Sequence, residues 1–229
     1  MPPTRRALRS QSTVLIISGV LMLVDAGLTL VWQEPVSAVY ASVVQGSLGD
    51  DLRKLEATQP SSLDLAALRK LATEKRRMAF LARRLRSDLD RGKAAGRLKI
   101  ERIKLNKVIV HGSDPASLRK GPGIYDDVPF PGAPGTTAIA GHRTTYGAPV
   151  RKINRIKRGD EIVVEMRYGT FTYEVEKKQI VQPTALEVIR RVSYDRLVLS
   201  ACHPLYSAAR RYIVFARLIA AQARGAARI

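Results

Sequence analysis

From Thr13 to Trp32 the chain carries one charged side chain, Asp25, in twenty residues that are otherwise apolar or small. About 20 such residues are what a helix needs to cross the hydrocarbon core of a bilayer. In lipid, a single segment satisfies its own backbone hydrogen bonds only as a helix. A cleaved export signal has a shorter apolar core and small residues at its end, whereas this run is full length and closes on Trp32, a side chain suited to the membrane interface. The segment is therefore expected to be an uncleaved anchor. Arg5, Arg6 and Arg9 precede it, and Glu34, Asp50 and Asp51 follow. That charge asymmetry keeps the N-terminus cytoplasmic and places everything after Glu34 outside the cell. Asp25 is costly at that depth if ionised, by roughly 2.5 to 3.5 kcal/mol. It is read either as a helix-helix contact or as a protonated residue the span tolerates.

Charge comes next. With 39 Lys and Arg against 20 Asp and Glu, the chain has a formal net charge of +19. Such a balance attracts polyanions: nucleic acid, anionic headgroups or phosphate-bearing wall polymers. Export removes nucleic acid from the expected partners. The 229 residues hold one packed domain of ordinary size plus appendages.

Between Leu63 and Leu89 apolar residues recur every three or four positions, at Leu65, Leu68, Leu71, Ala72, Met78, Leu81 and Leu85, which is a helical period. Ser61, Ser62 or Asp64 is expected to cap its start, and Gly92 and Gly96 to end it. Lys70, Lys75, Arg76, Arg77, Arg83, Arg84 and Arg86 crowd the other face. Two readings fit: a helix lying on anionic headgroups, or a solvated stalk lifting the following domain.

From about Leu98 the period becomes two. Val108–Val110, Thr137–Ala140, Glu161–Glu165, Phe171–Val175, Leu197–Leu199 and Tyr212–Phe215 are short β-branched or alternating runs. Turn chemistry separates them at Gly121-Pro122-Gly123, Pro131 to Gly135, Gly159-Asp160, Tyr168-Gly169-Thr170 and Pro183. The pattern predicts a mostly β domain, a compact sheet or barrel, with short helices near residues 148–156 and 185–190.

Cys202 is the chain's sole cysteine, in a compartment where cysteines normally pair. It follows an apolar run, His142 follows another, and Arg211 opens the last strand. An unassisted thiol has a pKa of about 8.5, so a thiolate at neutral pH needs a cationic neighbour. Imidazolium and guanidinium both qualify, and a fixed guanidinium also suits the oxyanion of an acyl transfer. Singly, each has a plain explanation: a core thiol, a structural histidine, a surface arginine. The three together in one exported β domain do not.

The ordered set Ala138-Ile139-Ala140-Gly141-His142-Arg143-Thr144-Thr145-Tyr146-Gly147-Ala148-Pro149, Arg158-Gly159-Asp160-Glu161-Ile162, Leu199-Ser200-Ala201-Cys202-His203-Pro204 and Arg211-Tyr212-Ile213-Val214 resembles the sortase family. The resemblance is greatest to class E sortases of high-GC Gram-positive bacteria and covers roughly residues 107–218. It implies an eight-stranded β-barrel and a cysteine transpeptidase, with Cys202 as nucleophile, His142 as catalytic histidine and Arg211 as catalytic arginine. It implies cleavage of a C-terminal Leu-Ala-x-Thr-Gly-like sorting signal between Thr and Gly through a thioester. The acyl group then passes to an amine of the peptidoglycan precursor lipid II or, in a pilin-polymerising relative, to a pilin lysine. Its partners would be surface proteins bearing that signal, with no cofactor. Ser200, Ala201, Thr144, Thr145 and Tyr146 fall where substrate would bind.

The family's Thr-Leu-x-Thr-Cys reads here Val198-Leu199-Ser200-Ala201-Cys202, so both threonines are absent and a shifted signal preference is expected. His203, Arg143 and Arg210 neighbour the chosen residues, but alternation along extended backbone turns them away. His111 reads as a structural or surface histidine. Neither calcium nor zinc is expected: Asp126-Asp127 is the only acidic pair in the domain's loops, and the histidines lack zinc spacing. Two alternatives remain: an L,D-transpeptidase, whose Ser-His-Gly-Cys context is absent, and a non-catalytic, membrane-tethered wall-binding module. The expected organisation is a basic tail (1–12), an anchor (13–32), a helical stalk or linker (33–97), the catalytic barrel (98–221) and a tail (222–229).

Overall fold

The computed structural model describes residues 3–32 and 35–229. Helix α1 runs Pro3–Trp32, and its stretch Ser10–Gly27, of mean hydropathy 1.4, is entirely exposed. Eighteen helical residues rise about 27 Å, so the helix is long and apolar enough to cross a membrane. The helix begins well before Thr13, so part of the expected basic tail is helical. The Trp32 side chain and Glu34 lie outside the described residues.

Eight strands close into a barrel in the order β1-β2-β3-β4-β7-β8-β6-β5. They are β1 (Ala94–Ile100), β2 (Leu105–His111), β3 (Gly123–Ile124), β4 (Thr136–Gly141), β5 (Glu161–Met166), β6 (Gly169–Val181), β7 (Arg196–His203) and β8 (Arg210–Ala223). Closure comes from β1, which pairs antiparallel with both β2 and β5. The strands extend beyond the expected 98–221 at both ends. β1 was not expected, because Ala94-Ala95-Gly96 carries neither β-branching nor alternation; nor was β3, two residues that begin on the last glycine of the turn-like Gly121-Pro122-Gly123. The helices expected near 148–156 and 185–190 are single 3-10 turns, Ile153–Arg155 and Leu186–Ile189.

Every residue of β4 and the first six of β7 are buried, as befits two adjacent parallel strands covered on both sides. The barrel core holds Leu98, Ile109, Phe130, Ile139, Ile162, Phe171 and Leu199.

The single helix expected from Leu63 to Leu89 is two helices, α3 (Ser62–Arg69) and α4 (Glu74–Asp88). Ser61 accepts a hydrogen bond from the Asp64 amide and Thr73 from the Arg76 amide, so each helix has its own N-cap. The apolar period runs on through Leu71 and Ala72 and conceals the break. α4 ends at Asp88, ahead of both glycines expected to stop it; Gly92 lies in the turn after it and Gly96 within β1. Nor do these helices form a free stalk. Met78, Leu81, Ala82 and Leu85 of α4 join the barrel core, because a helix with an apolar stripe must bury it.

Helix α2 (Pro35–Ala57) also packs on the barrel. Leu48 and Leu52 form a second small core with Ala94, Val108 and Val110. On the same face, the Gln45 side chain donates to the carbonyls of Val108 and Lys120 and accepts from the Val108 amide. One side chain thereby completes backbone groups of β2 and of α5 (Pro115–Lys120).

Candidate active site

The site lies where β4, β7 and β8 end together. β4 and β7 run parallel with Gly141 opposite Ala201 as their last pair, so His142 and Cys202 leave the ladder side by side. β7 and β8 run antiparallel, with Cys202 directly opposite Arg211 and His203 opposite Arg210. Directly opposed residues share a face with Cβ atoms about 4.5 to 5.5 Å apart. Cys202 and Arg211 therefore project together, while His203 and Arg210 project to the other side. The nine-residue separation in sequence is a hairpin folded back on itself.

Cys202 is a half-buried free thiol. Arg211 donates from Nη1 to the carbonyls of Ala208 at 2.9 Å and Arg210 at 3.1 Å. These bonds hold the guanidinium near the mouth of the β7–β8 turn. A guanidinium has five N–H donors, so Nε and Nη2 remain for a substrate oxygen.

His142 is half-buried, and its Nε2 has no hydrogen-bond partner among the described residues. Burial, and then the positive charge of Arg119, hold its pKa below the ordinary imidazole value. The resting ring is thus mainly neutral at neutral pH. The loop after it closes at once: the Val150 amide donates to the His142 carbonyl at 3.2 Å. A Cβ on Gly141 would stand 2.9 Å from Val150 Cγ2, so only glycine lets the loop return this tightly. Tyr146, Gly147 and Ala148 all have left-handed φ, 51°, 71° and 41°.

Arg143 keeps to the face of His203 and Tyr212, as alternation expects, yet it is tied to the end of β7. It is 5% exposed. Its guanidinium donates to the Asn154 side chain at 3.1 Å and the Cys202 carbonyl at 3.4 Å, and lies 3.1 Å from His203 Nδ1. It also lies over the Tyr212 ring, 5.7 Å from its centroid. Burial lowers its pKa first, and Coulombic attraction to Tyr212 and Cys202 counters part of that. Arg143 ties the β4 loop to the end of β7 and brings positive charge close to the nucleophile.

The five residues expected to bind substrate divide. Ser200 and Ala201 are 4% and 3% exposed, so their side chains offer a peptide no surface. Ser200 Oγ is instead 2.9 Å from the Tyr125 hydroxyl. Thr144, Thr145 and Tyr146 are half-exposed in the His142 loop. The Tyr146 ring sits 5.1 Å from the imidazole, tilted 45°.

The Sortase domain family model matches residues 98–219. Sortase D of Bacillus subtilis (strain 168) is 33% identical over 132 residues, 56% of this chain and 65% of that protein. The solved sortase E of Streptomyces avermitilis is 32% identical with a TM-score of 0.53, covering 58% of this chain and 93% of that one. The structure of a Clostridium perfringens sortase D5 transpeptidase reaches a TM-score of 0.62 over 78% of this chain and 99% of its own, at 22% identity, and speaks for the fold.

Proposed function

Because this chain belongs to the sortase family, we propose that it is a cysteine transpeptidase, anchored by α1 with its N-terminus in the cytoplasm and its barrel outside the cell. Its substrates would be surface proteins bearing a C-terminal Leu-Ala-x-Thr-Gly-like signal. The acceptor would be an amine of the cell-wall precursor.

The Cys202 thiolate attacks the Thr carbonyl carbon, and the oxyanion of the tetrahedral intermediate accepts hydrogen bonds from the Arg211 guanidinium. The His142 imidazolium gives its proton to the departing Gly nitrogen as the C–N bond breaks, leaving a thioester on Cys202. The incoming amine loses a proton to His142 as it attacks the thioester carbonyl. The thiolate departs, and the imidazolium is restored. The depressed pKa of His142 disfavours the imidazolium that the thiolate-imidazolium pair needs, so a modest turnover is expected.

The observation that most supports this reading is the register: the last β4–β7 pair, Gly141–Ala201, immediately precedes His142 and Cys202, and Arg211 lies opposite Cys202 across β7–β8. The test is mass spectrometry of the protein incubated with a Leu-Ala-x-Thr-Gly peptide and a glycine-based amine. Transfer product that disappears in Cys202→Ala, His142→Ala and Arg211→Ala is the expected result. A thioester on Cys202 without transfer would mean another acceptor. No adduct with either Ala or Pro at the second signal position would count against this substrate class.

A further inference from the structure

We propose that α2, the helix following the apolar segment, is part of the catalytic apparatus: it seats Tyr146, and Tyr146 holds the His142 imidazole. This rests on the catalytic role given above to His142.

The His142 loop is strained in a way that calls for external support. Two non-glycine residues, Tyr146 and Ala148, are left-handed around Gly147. Such positions cost about 1 kcal/mol or more each and persist only where surroundings over-determine them. The surroundings here are α2 and α5. The Tyr146 amide donates to Ser37 Oγ at 3.1 Å, and the Tyr40 ring meets the Tyr146 ring edge-on at 6.3 Å. A Cβ on Gly147 would touch that of Ala41 at 3.2 Å, so the helix lies directly against the loop. From the α5 side, the Arg119 guanidinium lies over the same tyrosine ring at 5.8 Å.

Each support is itself fixed. Gln45, Leu48 and Leu52 bind the later part of α2 to β2 and β1. The earlier part, Ser37 to Ala41, bears on the loop. The tyrosine face that remains packs against His142, whose Nε2 receives no hydrogen bond to orient it. Ring packing by Tyr146 thus takes the orienting place that a hydrogen bond would otherwise fill. Arg119 of α5 and Tyr146 of its own loop are the charged and titratable groups facing the imidazole, with Cys202 beside it on β7. Tyr146 is a positioning residue, and α2 is its mount. The functional catalytic unit therefore begins at α2 and not at the first strand. Since α2 starts at Pro35 and α1 ends at Trp32, the mount is also the segment nearest the membrane helix.

The experiment uses the full chain in detergent, comparing the parent with the Ser37→Ala/Tyr40→Ala double variant, Tyr146→Ala and Tyr146→Phe. The first readout is the titration of each histidine by hydrogen–deuterium exchange at imidazole C2. His111, His142 and His203 fall in different tryptic peptides, and the method needs no substrate. The second is kcat and KM for peptide cleavage. In the double variant, the His142 pKa should rise toward the ordinary value while His111 and His203 stay put. kcat should fall on the order of tenfold with KM little changed. Tyr146→Ala should do more of both, and Tyr146→Phe should keep the parental His142 titration, since ring and amide both remain. A double variant with parental His142 titration and parental kcat would overturn the proposal. So would a Tyr146→Phe variant whose His142 titration shifts as far as that of Tyr146→Ala. An active His142→Ala enzyme would instead sink the catalytic reading of that histidine, while the exchange data would still report whether α2 holds its ring.

Discussion

The two ends of the β4–β7 strand pair differ in how their polar groups are satisfied. Where the strands begin, the chain is closed by hydrogen bonds. The Gly135 amide donates to Asp195, Thr136 Oγ1 to the Arg190 carbonyl, and Thr137 Oγ1 to the Pro129 carbonyl. Arg196, 8% exposed, donates from Nη2 to the carbonyls of Val188 and Arg190 and stacks over Phe215, while its buried Nε has no partner among the described residues. Where the strands end, the imidazole has no hydrogen bond at Nε2, the thiol is half-buried, and the turn is left-handed. One end stabilises, and the other is held short of satisfaction so that a substrate can complete it. Apart from Arg196 Nε, local rules of polar pairing are obeyed where the barrel is fastened, and they are relaxed where the proposed chemistry takes place.

Four substitutions probe that contrast. Cys202→Ala should lower peptide cleavage by on the order of a thousandfold or more, as removal of a nucleophile does. Its denaturation midpoint should stay close to the parent's, since the thiol is not a core group; a large stability loss would blur the distinction between the ends. At the fastened end, Arg196→Met strips donors from two carbonyls and should cost about 2 to 3 kcal/mol in urea unfolding, with kcat within about threefold of parental. Gly141→Ala joins the two effects. Its new methyl meets the stiff, buried Val150 side chain, so a cost of about 1 to 2 kcal/mol is expected, together with a lower kcat as His142 is displaced. The smallest effect is a shift in pH. Arg119→Gln removes the positive charge that disfavours imidazolium, so the His142 pKa rises while burial still keeps it below the ordinary value. The acid limb of kcat/KM should therefore move to higher pH, and an unmoved limb would exclude Arg119 as the cause.

The sequence announces the residues that obey a short-range rule. β4 and β7 appear as compact apolar runs because they are covered on both faces. The Cys202–Arg211 pairing follows from alternation across a hairpin, and so does the rejection of Arg210. What escapes notice depends on distant partners. β1 is a strand because β2 and β5 flank it, not because Ala94-Ala95-Gly96 favours one. Arg143 comes to the nucleophile's strand through a loop whose path no alternation predicts. The contact between Ser37 and Tyr146 spans 109 positions, and no pattern in either segment signals the other. The break between α3 and α4 escapes for the opposite reason, since the apolar period continues across it.

Closure of the barrel by β1 against β5 has a consequence for recognition. A sheet with free edges can grip an extended peptide by adding it as another strand, and backbone bonds of that kind care little for side-chain identity. Here each barrel strand already has a neighbour on both sides. A bound peptide must therefore be read by side chains and loops at the barrel's rim. For the proposed sorting-signal substrates, discrimination then resides in segments such as the His142 loop and the β7–β8 turn.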